Sequence, residues 1–202
     1  MNDKHVIAFC LIFAVLGLIS LNFYTLEPKD VKICEIKDGD YVKITGYIQK
    51  LIVKRDEYRH ILEVKSLTIS DGTGHLNVVA FGKVREELTN YIKDYQPCSI
   101  KEEDKVQVIG KISTYNGRYQ LILEDIDNFK LIEKLNFEKD IYLSPIPTHI
   151  YASKYGKTYH TSEDCPYGKK IKKDNRIYFY SEEDAEELGY KKCKWCSKNA
   201  NK

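Results

Sequence analysis

The chain has 202 residues, enough for one or two small domains, and carries 32 Lys and Arg against 30 Asp and Glu. A formal net charge of +2 excludes a histone-like polycation. With 43% hydrophobic and 31% charged residues, the chain is neither disordered nor a polytopic membrane protein. Its six cysteines are too few for a disulfide scaffold.

The N-terminal segment is apolar, and residues 6–26 contain no Asp, Glu, Lys or Arg. A helix of this length would rise about 31 Å, which matches the hydrocarbon thickness of a bilayer. The segment predicts a transmembrane anchor within residues 1–30, with the lipid bilayer as partner of residues 6–26. A cleaved secretory signal and a buried core helix are the alternatives. We expect a single-pass membrane protein with its soluble domains on the extracytoplasmic side.

The segment from residue 31 to residue 135 has the alternating pattern of β-strands. Glycine-containing turns, Asp71–Gly74 and Asn116–Gly117, separate strand pairs. The predicted order is three strands, one short helix and two strands, at residues 42–49, 62–70, 76–81, 83–93, 106–112 and 119–123. This order is that of the five-stranded OB-fold barrel, so the predicted fold class is mainly β.

Four stretches of this segment resemble OB-fold nucleic-acid-binding domains of the tRNA-anticodon and helicase type: residues 42–48, 67–78, 106–111 and 119–121. Such barrels bind single strands across two strands and two flanking loops. Tyrosines there can stack on bases, and basic residues can contact phosphates. The candidate nucleic-acid-binding residues of the barrel are Tyr47, Lys54, Arg55, Tyr58, Arg59, Tyr115 and Arg118. Packing within the domain is the alternative for each tyrosine.

A second module is predicted at residues 151–202, behind a proline-containing linker at residues 136–150. A module of about 50 residues can bury only a small hydrophobic core, so it needs a further stabilising cross-link such as a metal ion or a disulfide. Cys193 and Cys196 have the Cys-x2-Cys spacing of a metal site, and His160 and Cys165 complete a closed tetrahedral set. The four residues predict a structural Zn²⁺ site; a disulfide between two of the cysteines is the alternative.

The same stretch resembles the Ada-type zinc-binding module through Lys157–His160, Cys165–Tyr167, Asn175–Phe179 and Cys193–Cys196. His160 stands where the family has a methyl-accepting cysteine, so we do not expect methyl transfer. The densest basic run of the module predicts either a phosphate-contacting patch or a solvated face, and consists of Lys169, Lys170, Lys172 and Lys173.

These patterns predict a non-enzymatic, membrane-anchored protein that binds nucleic acid, most simply single-stranded DNA or RNA. One alternative is an envelope adaptor that binds another protein, because the OB-fold serves several functions. The other is a staphylococcal-type nuclease, suggested by Asp38-Gly-Asp40, although the further catalytic motif of such enzymes does not follow. No small-molecule substrate is predicted.

Overall fold

The computed structural model describes residues 10–17 and 27–199, which form a short helix, a β-domain and a C-terminal module. Residues 10–17 are helix α1. The elements of the β-domain are β1 (Lys29–Asp30), β2 (Tyr41–Arg55), β3 (Ile61–Ser70), β4 (His75–Ala80), α2 (Gly82–Lys93), β5 (Lys105–Tyr115), β6 (Arg118–Leu123) and β7 (Phe129–Glu133). Those of the C-terminal module are β8 (Leu143–Ser144), β9 (Tyr151–Ser153), β10 (Thr158–His160), β11 (Arg176–Phe179), α3 (Glu182–Glu187), β12 (Lys191–Lys192) and α4 (Lys194–Lys198).

The predicted membrane anchor is wrong. Helix α1 is the described part of the predicted span; residues 6–9 and 18–26 lie outside the described residues. Within the described ranges, no helix is both long enough and apolar enough to cross a bilayer. This finding overturns the single-pass localisation, and it removes the basis for a lipid partner and for extracytoplasmic domains.

The β-domain confirms the predicted order of three strands, a helix and two strands, in β2 to β6. Its sheet runs β1-β2-β3-β4-β6-β5-β7, and β5 also pairs with β2. Alternate residues of β2 and β5 point into one apolar core, since Val42, Ile44, Val106 and Val108 are fully buried. Helix α2 adds the buried Leu88 and Ile92 to that core.

Gly46 and the hairpin turn shape this domain. Gly46 lies against β3, where an added Cβ would stand 2.6 Å from the carbonyl oxygen of Ser70. A glycine permits this close approach of two backbones. Asn116 and Gly117 have φ of 50° and 74°, the left-handed conformations that a two-residue hairpin requires. The turn pairs Tyr115 with Arg118 and fixes where both side chains project.

A buried ion pair holds the end of the β-domain. Asp104 is fully buried and lies 2.6 Å from the Nζ of Lys134, whose side chain is nearly buried. The Asp104 carboxylate also accepts hydrogen bonds from the backbone N–H groups of Lys101, Leu135 and Asn136. Burial alone would raise the pKa of Asp104, but the Lys134 and backbone hydrogen bonds lower it below its usual value. The network anchors the chain as it leaves β7.

The C-terminal module is a small sheet of order β12-β10-β9-β11-β8 with two short helices. Its buried core contains Leu143, Ile150, Ala152, Tyr159, Phe179 and Ala185. Residues 136–150, predicted as a linker, therefore contribute β8 and two core side chains. Ser181 caps α3 by accepting the N–H of Asp184.

The tip of the β2–β3 hairpin contacts the C-terminal module. Tyr58 packs against the module's core, and its carbonyl accepts a hydrogen bond from the Leu143 N–H at 3.0 Å. His60 stacks on Tyr142 with ring centroids 4.7 Å apart. Lys139 reaches the buried Asp184 at 2.6 Å. These contacts join the two parts of the chain through apolar packing as well as charge.

Candidate nucleic-acid interface and metal centre

An open groove of about 900 Å³ runs over the outer face of the β-domain. It is bounded by the 3₁₀ turn Ile33–Glu35, by β2, β3 and β4, and by the β5–β6 hairpin. The residues that line it are Ile33, Ile36, Lys50, Ile52, Ser66, Thr68, His75, Asn77, Tyr115, Asn116, Arg118, Tyr119 and Gln120.

The β5–β6 hairpin gives the groove its aromatic and basic wall. Tyr115 is 64% exposed and Tyr119 is 45% exposed, so both rings are accessible to a ligand. Arg118 lies between them in sequence, and Lys50 lies across the groove on β2. Exposed rings next to cations suit a ligand with flat bases and an anionic backbone.

The rest of the lining combines isoleucine side chains with hydroxyl, amide and imidazole groups, and none of the described lining residues is acidic. The floor offers hydroxyl and amide groups, for example the Ser66 hydroxyl, which donates to the Asn77 side chain at 3.1 Å. Ile52 is 43% exposed and adds an apolar contact. Because Lys50 and Arg118 face no lining carboxylate, the groove is locally cationic although the whole chain is nearly neutral.

The structure divides the predicted nucleic-acid-binding residues of the β-domain into separate places. Tyr115 and Arg118 line the groove. Arg55 and Arg59 instead line a cleft between the β-domain and the C-terminal module, and Tyr58 packs on the module core. These three residues therefore do not line the groove.

Two further candidates, Tyr47 and Lys54, also lie outside the groove lining. Tyr47 is 47% exposed beneath the Lys105 ammonium, which lies 5.7 Å from its ring centroid, and Lys54 is exposed on β2. The sequence reasoning missed Lys50, Ile52 and Tyr119, which do line the groove.

The lysine run of the C-terminal module is exposed and lies outside the groove lining. Lys169 pairs with Asp164 at 3.1 Å, and the Lys170 ammonium lies 5.9 Å from the Tyr167 ring centroid. Lys172 precedes the 3₁₀ turn Lys173–Asn175, and Lys173 is its first residue. All four side chains are exposed to solvent, and the ammonium of Lys169 already has Asp164 as its anionic partner.

The predicted metal ligands lie together. His160, Cys165, Cys193 and Cys196 are all buried, and their ligand atoms lie within 4.8 Å of one another. The Nδ1 of His160 is 3.3 Å from the Sγ of Cys165 and 4.0 Å from that of Cys196. The Sγ atoms of Cys165 and Cys193 are 3.9 Å apart. This cluster of one imidazole and three thiols could hold a metal ion.

The spacing of these atoms fits zinc. A tetrahedron with metal–sulfur bonds of 2.3 Å has ligand–ligand edges of about 3.8 Å. The three separations given above, 3.3 to 4.0 Å, bracket that edge, and all four ligand atoms lie within 4.8 Å of one another. A disulfide needs sulfurs about 2.05 Å apart, so the Cys165–Cys193 separation does not match the alternative.

The surroundings of the cluster keep its ligands in place. The backbone N–H of Gly168 donates to the Sγ of Cys165 at 3.4 Å, and a Cβ at Gly168 would lie 3.2 Å from the His160 ring and clash with Tyr151. Burial, followed by the charge of Arg176, lowers the pKa of His160. A lowered pKa favours the neutral imidazole, which is the form that binds metals.

Asp38 and Asp40, the residues that suggested a nuclease, form hydrogen bonds and an ion pair within the β-domain. Asp40 pairs with Lys29 at 3.0 Å and accepts the N–H of Lys37 in the turn before β2. Asp38 accepts the Thr114 hydroxyl at 2.7 Å. The two carboxylates are thus engaged in the turn.

Comparison with known proteins gives a family match over residues 51–128, to the tRNA anti-codon family of OB-fold nucleic acid binding domains. Among solved structures, a replication protein A domain from Methanococcus maripaludis is 20% identical, covering 52% of this chain and 98% of its own, with a TM-score of 0.37. Asparaginyl-tRNA synthetase from Pyrococcus horikoshii is 20% identical, covering 55% of this chain and 24% of its own, with a TM-score of 0.38. Likeness at this level does not indicate what the chain binds.

One curated relative matches almost the whole chain. An uncharacterized protein of Methanocaldococcus jannaschii is 54% identical over 200 residues, which is 98% of both sequences. The domain match ends at residue 128, so the Ada-type resemblance of the C-terminal module stays a prediction. The chain belongs to the family of this Methanocaldococcus protein, and within it residues 51–128 are similar to an OB-fold nucleic acid binding domain.

Proposed function

We propose that the protein is a non-enzymatic binder of single-stranded DNA or RNA, which lies in the groove of the β-domain. The observation that carries the proposal is the groove lining: two exposed tyrosines and two cations with no carboxylate among the described lining residues. Bases of any sequence can stack on tyrosine rings, and Lys50 and Arg118 can neutralise backbone phosphates. The OB-fold family match supports the same class of ligand.

The C-terminal module, in this proposal, is an Ada-type module folded around a structural Zn²⁺. His160, Cys165, Cys193 and Cys196 would hold the ion through one nitrogen and three sulfurs. Since all four positions are filled by the protein, no position remains for a reactive water, so the ion supplies folding energy rather than chemistry. The lysine run 169–173 gives this module a cationic surface that can add contacts to nucleic acid or to a protein.

Fluorescence anisotropy with labelled single-stranded oligonucleotides tests the binding function. Base–aromatic stacking contributes about 1–3 kcal/mol per base, so Tyr115→Ala and Tyr119→Ala should each weaken binding by roughly 5- to 150-fold. Tyr155→Ala is the matched control, because Tyr155 is 83% exposed and lies in the C-terminal module. Equal affinities for the groove and control variants would contradict the proposal. An absence of oligonucleotide binding would favour the protein-adaptor alternative.

A further inference from the structure

A second cavity, of about 430 Å³, lies between the β-domain and the C-terminal module. Its wall on one side is β2, through Leu51, Val53 and Arg55, and on the other side α3 and the residue after it, through Glu187 and Leu188. The alternate residues Lys50 and Ile52 of the same strand face the groove. The cleft and the groove therefore lie on opposite sides of β2.

The hairpin between β2 and β3 brings Arg59 to this cleft. The Asp56 carboxylate accepts the N–H groups of Tyr58 and His60, and the Asp56 carbonyl accepts the N–H of Arg59. Arg59 has φ of +74°, a left-handed conformation that is uncommon for a residue with a side chain. The loop thus fixes the Arg59 backbone, and with it the direction in which the side chain leaves the chain, despite the cost of the left-handed conformation.

The guanidinium of Arg59 lacks an anionic partner. Its Nε is buried and makes no hydrogen bond within the described part of the chain. Its close charged neighbour is another cation, Arg55, whose Nη1 donates to the Arg59 carbonyl at 2.7 Å. Burial, and then the Arg55 charge, lower the pKa of Arg59. A buried donor beside a like charge is an arrangement that an incoming anion would stabilise.

Four carboxylates also line the cleft, those of Glu102, Glu138, Asp140 and Glu187, and two of them bind groups other than the arginines. Asp140 accepts hydrogen bonds from Ser99 and pairs with Lys101 at 3.2 Å. Glu102 accepts the N–H of Leu51 at 3.0 Å. Over residues 27–199, no carboxylate lies within ion-pair distance of Arg55 or Arg59. Lys101 and Lys139, the other cations of the lining, pair with Asp140 and Asp184, so Arg55 and Arg59 are the cations of the described lining that have no ion-pair partner.

We propose that the cleft is a binding site for a phosphate group, held by the guanidinium groups of Arg55 and Arg59. Arginine presents several N–H donors in a planar fork that matches phosphate oxygens. The phosphate is either a backbone phosphate of a strand that continues from the groove around the β2–β3 hairpin, or part of a free phosphate compound. The first source rests on the proposed function and deepens it, whereas the second does not depend on it.

The first experiment observes Arg59 directly. In the ¹⁵N-labelled full chain, the Nε–H resonance of Arg59 is assigned by its loss in Arg59→Lys. Titration with inorganic phosphate should shift this resonance saturably, whereas chloride at equal ionic strength should not. Arg118→Gln, in the groove, is the matched control and should leave the phosphate titration unchanged. Thermal unfolding of Arg59→Lys and Arg59→Gln shows that each variant is folded.

The second experiment measures oligonucleotide affinity against salt concentration for strands of about 16 nucleotides, the upper site size of one OB-fold. Each phosphate contact on a single strand contributes about 0.7 to the log–log salt slope. Arg59→Gln should lower the slope by about that amount, and Arg59→Lys should restore most of it. The corresponding variant of an exposed cation outside both sites, Lys111→Gln, is the control and should leave the slope unchanged.

The outcomes separate the two proposals. A changed slope supports a backbone phosphate in the cleft, and a saturable Arg59 shift with an unchanged slope supports a free phosphate compound. An Arg59 resonance that ignores phosphate, together with an unchanged slope, overturns the cleft site while the groove function stands. If the wild-type chain binds no oligonucleotide, the proposed function fails, and the phosphate titration alone decides the cleft site.

Discussion

Removal of one metal ligand, in Cys196→Ser, is the sharpest test of the proposed zinc centre. Apparent binding free energies for structural zinc are about 10–16 kcal/mol, which averages roughly 2.5–4 kcal/mol for each of four ligands. Loss of one ligand should therefore weaken zinc binding by roughly 60- to 700-fold. Cys196 is 2% exposed, and its Sγ lies 4.0 Å from the His160 Nδ1, so a serine hydroxyl is too short and too hard a ligand to replace it.

The assay is competition for zinc against a coloured chelator, with zinc content per chain measured first. Wild-type protein should bind one Zn²⁺, and Cys196→Ser should release it at a much lower chelator concentration. Cys34→Ser is the matched control, because Cys34 is exposed and outside the cluster. Wild-type protein that purifies without zinc and does not take it up, or equal zinc affinities for the wild-type chain and Cys196→Ser, would refute the proposed centre.

Three further substitutions test the fold. Asp104→Asn should destabilise the β-domain by about 3–5 kcal/mol in urea unfolding, since it leaves Lys134 buried without a counter-charge; an unchanged midpoint would contradict this account. The pKa of Asp104 in the folded chain lies below 3.8, so the stabilisation of the fold by its ionised carboxylate should be present above about pH 4 and should be lost as the pH falls through the lowered pKa. The Asn variant should lack this acid dependence. Gly46→Ala should cost about 1–3 kcal/mol by forcing the backbone away from Ser70, and equal thermal stability would show that the strands can separate there. Tyr58→Ala should lower the unfolding free energy by about 2 kcal/mol and let the two parts of the chain unfold in separate calorimetric steps; one unchanged transition would argue against coupling through this side chain.

Much of the β-domain is predictable because its strands have one buried face. Val42, Ile44 and Ile48 alternate with exposed or half-buried residues, and the pattern of period two is visible in the sequence. The positions of β1 and β7 are not visible in this way, because Lys29–Asp30 and Phe129–Glu133 are short and are placed by pairing with β2 and β5. The apolar N-terminal run shows the opposite error: its hydropathy predicted a membrane span, but the described ranges contain no helix that is long and apolar enough to be one.

The metal cluster was predictable from residue type and spacing, because metal binding strongly restricts both. The groove was only half predictable. A register shift between Ile48 and Lys50 changes which side of β2 each later residue faces, so Lys50 and Ile52 point into the groove. No residue type in this part of the sequence predicts the bulge. The same shift turns Arg55 toward the interdomain cleft, a placement that its position in the loop does not predict.

The length of β2 has a practical consequence for dissecting this protein. Its pairing with β5 ends at Tyr47, whereas its pairing with β3 continues to Arg55, so the hairpin extends past the rest of the sheet. The tip of that extension is covered by the C-terminal module, through Tyr58 and Leu143. A truncated chain ending near residue 135 would expose an aromatic tip on a two-stranded ribbon, a surface prone to self-association. Experiments on the isolated β-domain should therefore carry a polar substitution at Tyr58.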